Sequence, residues 1–169
     1  MFKTRFASLC CLIFLTLAGA QSLPALDIGD NAPNWVLKNA AGVDTDYYRD
    51  SANQVTVLIY WATWCPYCKS LMPHLQNVAD RYRDQPVRFY AMNINETGDP
   101  VKHLQENGFS FELIQNADTT MEPYGVRGTP SVFVVDQNHK IVYRRIPDTA
   151  DQAVEDAVQQ ALTAALKQL

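Results

Sequence analysis

Val57-Leu58-Ile59-Tyr60-Trp61-Ala62-Thr63-Trp64-Cys65-Pro66-Tyr67-Cys68-Lys69 is the stretch that decides the fold. With Val55 and Thr56 in front of it, its first half is a β-branched and aromatic run, the pattern of a strand buried on both faces. Its second half opens a helix. Pro66 stands at the first helical position, where a missing N–H costs nothing, and Leu71, Met72, Leu75, Val78, Ala79 and Tyr82 follow at helical spacing as a core-facing stripe. Pro73 falls inside that helix and is expected to kink it. A strand-to-helix joint holding C-x-x-C puts the leading sulfur, Cys65, at the positive end of the helix dipole, which favours its thiolate. Cys65 is therefore expected to be exposed and reactive. Cys68, one turn further in, is expected to be more deeply buried and placed to attack a mixed disulfide from within. The two-residue spacing lets the sulfurs meet with little backbone movement, so dithiol and disulfide can interchange.

Outward from this joint the chain alternates strands and helices. Val87 to Ile94 reads as a second buried strand, Pro100 to Asn107 as a short helix stopped by Gly108, and Phe111 to Ile114 as a third strand. After Tyr124-Gly125-Val126-Arg127-Gly128-Thr129-Pro130, Ser131 to Val135 and Lys140 to Arg145 form a hairpin around Asp136-Gln137-Asn138-His139. Thr149 and Gln152 have the spacing of a capping box for a last helix whose Val154, Ala157, Val158, Ala161, Leu162, Ala165, Leu166 and Leu169 share one face. Upstream, Trp35-Val36-Leu37 reads as a short strand, with Gly42 closing its turn. The order β-α-β-α-β-β-α, parallel strands first and a hairpin last, implies an α/β fold with a central mixed sheet covered on both faces.

At 169 residues, 47% apolar and with only 7 Gly and 9 Pro, the chain supports one globular domain with a substantial core. Its net charge of −4 and the absence of any Lys/Arg run beyond Arg144-Arg145 exclude nucleic acid as an expected partner. Residues 1–20 read as a signal peptide: basic Met1 to Arg5, apolar Phe6 to Leu17, then Ala18-Gly19-Ala20 before Gln21. Even extended to Ala20 the apolar run falls short of the ~20 residues that span a bilayer. Leu17-Ala18-Gly19-Ala20 comes close to a bacterial lipoprotein box but lacks its Cys. Cleavage near Ala20 removes Cys10, Cys11, Lys3 and Arg5, leaving residues 21–169 as a single domain with net charge −6 and two cysteines. An exported protein with only Cys65 and Cys68 cannot use them as a long-range staple. Half a zinc site would need two more ligands, yet His74, His103 and His139 are scattered singly, so no metal is expected and these histidines read as surface or capping residues.

The quoted stretch, together with Pro73 five residues past the second cysteine and the distant Gly125-Val126-Arg127-Gly128-Thr129-Pro130, resembles the thioredoxin superfamily. It is more narrowly similar to the TlpA/ResA-like periplasmic thiol-disulfide oxidoreductases, over roughly residues 28 to 166. These carry an N-terminal extension like Gly29-Asp30-Asn31-Ala32-Pro33-Asn34-Trp35-Val36-Leu37 and a central insertion before the last strands. The resemblance implies a thioredoxin fold and an exported enzyme without cofactor, working as a monomer. Cys65 and Cys68 would be catalytic, and Trp64, Pro66, Tyr67, Thr129 and Pro130 would bind client. It also implies a cis peptide at Thr129-Pro130, packed against the sulfurs, with the Thr129 backbone free to pair with an extended client segment. Protein thiol/disulfide clients, of the cytochrome c maturation or metal-site kind, and a membrane electron donor follow by the same analogy.

Three departures from the pattern stand out. Ile59 occupies the position of the buried Asp of thioredoxins proper, and Leu71 that of the Glu of ResA-like proteins, which leaves the proton acceptor for Cys68 to water. Pro66-Tyr67 matches the dipeptide of glutaredoxins, without their other features. Ala62 stands where peroxiredoxins place a peroxide-orienting Thr, which disfavours a peroxidase. The direction of electron flow stays open at this point: a reductase, a disulfide donor or isomerase, and a non-catalytic binding module share these motifs.

Overall fold

The computed structural model describes residues 26–145 and 147–169; the signal-peptide expectation therefore lies outside the described residues. The chain runs β1 (Val36–Lys38), β2 (Asp44–Asp46), α1 (Tyr47–Asp50), β3 (Val55–Trp61), α2 (Pro66–Arg81), β4 (Val87–Asn93), α3 (Pro100–Glu106), β5 (Glu112–Ile114), a 3-10 turn (Ala117–Thr120), β6 (Ser131–Val135), β7 (Ile141–Arg144) and α4 (Asp151–Leu166). Every residue of β3 is buried, and β3 lies at the centre of a sheet ordered β5-β4-β3-β6-β7. β4 pairs parallel to it from Val55↔Val87 to Trp61↔Asn93, a pairing that needs a crossover, and α2 supplies it. β6 and β7 add the antiparallel hairpin, which makes the sheet mixed.

Alternation along β3 divides the core. Val57, Ile59 and Trp61 face Leu71, Met72, Leu75 and Val78 of α2, Leu104 of α3, and Val154, Val158 and Leu162 of α4. Leu58 and Tyr60 face the other side, where Trp35, Tyr47, Tyr90, Tyr124 and Phe133 form an aromatic layer under α1 and the 3-10 turn. Trp35 stacks on Tyr47 with ring centroids 5.1 Å apart. The phenols here are tied off inside the layer: Tyr47 shares a 2.7 Å hydrogen bond with Thr56 and Tyr60 one of 2.9 Å with Thr120, and Tyr124 donates to the Pro33 carbonyl at 2.6 Å. The N-terminal extension is thus part of the core, and the Gly29 and Ala32 amides fasten it to the Ile141 and His139 carbonyls.

Some local expectations change. α4 begins at Asp151 with Ala150 as N-cap, so the Thr149/Gln152 capping box is not the start of the helix; the Gln152 amide turns instead to Asp156 at 3.1 Å. The helix ends at Leu166, which leaves Leu169 54% exposed rather than on the packed face. Pro73 is exposed, and α2 continues through it. The histidines are half-buried partners rather than surface groups: His74 meets Glu155 at 2.8 Å, His103 lies against Trp61, and His139, at φ 60°, stacks on Tyr48 at 3.8 Å.

Candidate active site

β3 ends at Trp61, and four residues later Cys65 is the N-cap of α2, with Pro66 in the first turn. The Cys65 backbone is extended (φ −79°, ψ 112°), and its sulfur accepts the Cys68 amide N–H at 3.2 Å. One of the donors that a helix start leaves unpaired is thereby satisfied by sulfur. Cys65 and Cys68 are both unbridged thiols. The expected exposure of Cys65 is not found: it is 2% exposed, because the side chain folds back over its own helix, and Cys68 is at 0%. Burial pushes the Cys68 thiol up to about 12, reinforced by the neighbouring Cys65 sulfur and partly offset by the Ala62 backbone and the Thr129 hydroxyl.

The Thr129-Pro130 peptide is cis. Pro130 is buried and Thr129 half-buried beside Cys68. The Arg145 guanidinium spans this segment, donating to the Pro130 and Thr149 carbonyls at 3.3 Å each. Pro66 is exposed, as are Trp64 at 51% and Tyr67 at 73%, so the site is rimmed by exposed rings and a proline. Trp64 is held at one point, its indole N–H donating to the Asn95 carbonyl at 2.8 Å. Ile59 and Leu71 are fully buried in the same apolar cluster as both sulfurs. Among the described residues, no group of three or more His, Cys, Asp or Glu side chains is placed to hold a metal ion.

A residue with no part in the sequence expectations organises the loop before Cys65. The Glu96 carboxylate, just past the end of β4, accepts from the Thr63 amide (2.9 Å), the Thr63 hydroxyl (2.5 Å), the Asn93 side chain (2.7 Å) and the Thr97 and Gly98 amides (2.8 and 2.7 Å). Burial pushes this carboxyl up, but the donors from Thr63, Asn93 and Gly98 outweigh it and leave it at about 2. Gly98 fits because it has no side chain: a Cβ there would lie 2.6 Å from Thr63 Oγ1. The available signal was positional, an acid directly after the strand that neighbours β3, at the carboxyl edge where parallel sheets build their sites.

The sequence pattern of the AhpC/TSA family matches residues 28–144. The chain belongs to the AhpC/TSA family. Within the thioredoxin superfamily its similarities are specific. It is 31% identical over 122 residues to the thiol-disulfide oxidoreductase ResA of Geobacillus thermodenitrificans, covering 69% of this chain and 68% of that one. With ResA of Bacillus subtilis it shares 28% over 127 residues, 74% and 69% of the two chains. The crystal structure of a putative thiol:disulfide interchange protein DsbE from Chlorobium tepidum matches with a TM-score of 0.73 at 29% identity, over 84% of this chain and 99% of that one. This AhpC/TSA member is a thiol-disulfide oxidoreductase of the ResA/DsbE type with a thioredoxin fold.

Proposed function

We propose that the chain is an exported reductase of protein disulfides, cycling Cys65 and Cys68 between dithiol and disulfide. The observation that carries this is the Cys65 sulfur capping α2 and accepting the Cys68 amide, with the cis Thr129-Pro130 segment beside Cys68. Cys65, as thiolate, attacks one sulfur of a client disulfide; the other client sulfur leaves and takes up a proton. Cys68 then loses its proton to water and attacks the Cys65 sulfur, which releases the second client thiol and leaves a Cys65–Cys68 disulfide. Two electrons have passed to the client, and a membrane electron donor returns two to restore the dithiol.

Trp64, Pro66 and Tyr67 form the rim on which a client rests, and the Thr129 backbone pairs with its extended segment. The reducing direction is the one that the resemblance to the TlpA/ResA-like oxidoreductases implies. A pair becomes strongly oxidising when its reduced form is stabilised, so the reduction potential of the Cys65–Cys68 couple decides this direction. Residues 1–20 act as the signal peptide, residues 21–169 work as a monomer in the periplasm, and the clients are apocytochrome c or metal-site thiols by analogy with the ResA/DsbE type.

The test is trapping. Cys68→Ser expressed in cells should accumulate mixed disulfides with client on non-reducing gels, and Cys65→Ser should accumulate none. Trapping by Cys65→Ser instead would reverse the roles. N-terminal sequencing of the cell-envelope protein should begin near Gln21, and an intact Met1 would contradict export with cleavage.

A further inference from the structure

A cleft of about 970 Å³ opens beside Tyr67 and the Thr129-Pro130 segment and extends away from the sulfurs to Ile28, Arg127, Arg144 and Arg145. Its arginines differ from all others among the described residues. Arg49, Arg81, Arg83 and Arg88 each pair with a carboxylate, at 2.7, 3.1, 2.7 and 3.3 Å. Among the described residues, Arg127, Arg144 and Arg145 pair with none. Arg127 is exposed, Arg144 reaches only the Leu26 carbonyl at 2.9 Å, and Arg145 reaches the Pro130 and Thr149 carbonyls while its buried Nε has no partner.

The cleft also holds three acids, Asp27, Asp148 and Asp151, and among the described residues none of them is within ion-pair distance of these cations. Asp27 accepts the Ile28 amide at 2.8 Å, Asp151 accepts the Ser70 hydroxyl, and exposed Asp148 forms no ion pair. Arg144 and Arg145 are half-buried, where charge is screened less than in open solvent, and a planar guanidinium fork matches a carboxylate. Ile28, 64% exposed, and Tyr67, 73% exposed, add apolar surface to the same cleft.

We infer that this cleft docks the client as an extended peptide carrying carboxylates beside its target cysteine, with the unpaired arginines as their counter-charges. The inference rests on the disulfide-reductase reading above and adds the client class. It runs against the net charge of −6 on residues 21–169, which by itself would favour basic clients.

Reduced protein is mixed with disulfide dimers of three single-cysteine peptides, flanked by glutamates, glutamines or lysines. Each dimer takes two electrons from the dithiol and yields two peptide thiols and the Cys65–Cys68 disulfide. Rates are followed by thiol release and divided by those of a small dithiol reagent, which removes the effect of the flanks on intrinsic reactivity. The Glu peptide should react roughly tenfold faster than the Lys peptide at low salt, with the Gln peptide between them and the spread narrowing in ~0.5 M salt. Arg127→Glu with Arg144→Glu should invert the order. Equal rates for the three peptides, or a faster Lys peptide, would overturn the docking inference while leaving disulfide exchange in place. Failure of all three to react would overturn the reductase reading, and this inference with it.

Discussion

Glu96→Gln tests whether the loop before Cys65 is held by a charge. The carboxylate accepts five hydrogen bonds, three at Oε1 from the Thr63 hydroxyl and the Thr97 and Gly98 amides, and two at Oε2 from the Thr63 amide and Asn93. An amide has one oxygen, so whichever way Gln is turned its NH₂ meets at least two donors. Hydrogen bonds to a charged group contribute about 1.5–3 kcal/mol each when their partner stays buried. Glu96 is partly solvated, water can take over several donors, and the net loss is discounted to about 2 kcal/mol. For a chain of this size that is a fall in Tm of roughly 4–8 °C. The folded value of about 2 lies below the unfolded carboxylate's ~4.3, so the stabilisation is fully present above about pH 5 and is lost as pH falls toward 2. Thermal unfolding of reduced wild type and variant, followed by circular dichroism, should show a constant gap from pH 5 to pH 8 that closes between about pH 4 and 2. Equal Tm values at pH 7, or a gap that widens on acidification, would refute the clasp. Disulfide exchange should slow in the same variant, since Thr63 lies two residues before Cys65.

Gly98→Ala pushes a Cβ to within 2.6 Å of Thr63 Oγ1 and should lower Tm and slow exchange in the same sense as Glu96→Gln; wild-type values for both would show that Thr63 tolerates displacement. Brief alkylation of the reduced native protein near pH 7.5, read by peptide mass spectrometry, should label Cys65 ahead of Cys68, whose thiol burial raises to about 12; a Cys68-first product would contradict the site. Leu71→Glu puts a carboxyl into the fully buried cluster that holds both sulfurs and should destabilise the protein by about 3 kcal/mol near pH 7, with partial recovery on acidification as the buried acid becomes neutral; unchanged urea unfolding would place Leu71 outside the core.

What the sequence disclosed follows from where stability is local. The bounds of β3 and the start of α2 were legible because Val55–Trp61 is β-branched and aromatic with Leu58 as its one exception, and because Pro66 suits the first turn of a helix. The cis peptide came from resemblance and agrees with the structure. β2 and α1 were invisible in Asp44–Asp50, since three strand residues and one helical turn have no periodicity of their own. They exist because Asp46 caps the turn and Tyr47 stacks on Trp35, a contact made by packing. Cys65 is buried where the sequence suggests exposure because a helix-start position alone does not say which way a side chain folds, and here the sulfur accepts the Cys68 amide of its own helix. The role of Glu96 is not legible in the sequence because two of its five donors, the Thr63 amide and hydroxyl, lie 33 residues away and come to it only through the β3–β4 pairing.

The equilibrium reduction potential of the Cys65–Cys68 couple tests the proposed direction of electron flow most directly. Redox titration against glutathione or dithiothreitol buffers, read by trapping free thiols and resolving the two forms by mass, gives it in one experiment. For a couple that delivers electrons to its clients, the value should lie near thioredoxin's roughly −270 mV and below about −200 mV. A value near DsbA's roughly −120 mV would mean that electrons run from client to this protein, and the assignment as a reductase would be wrong.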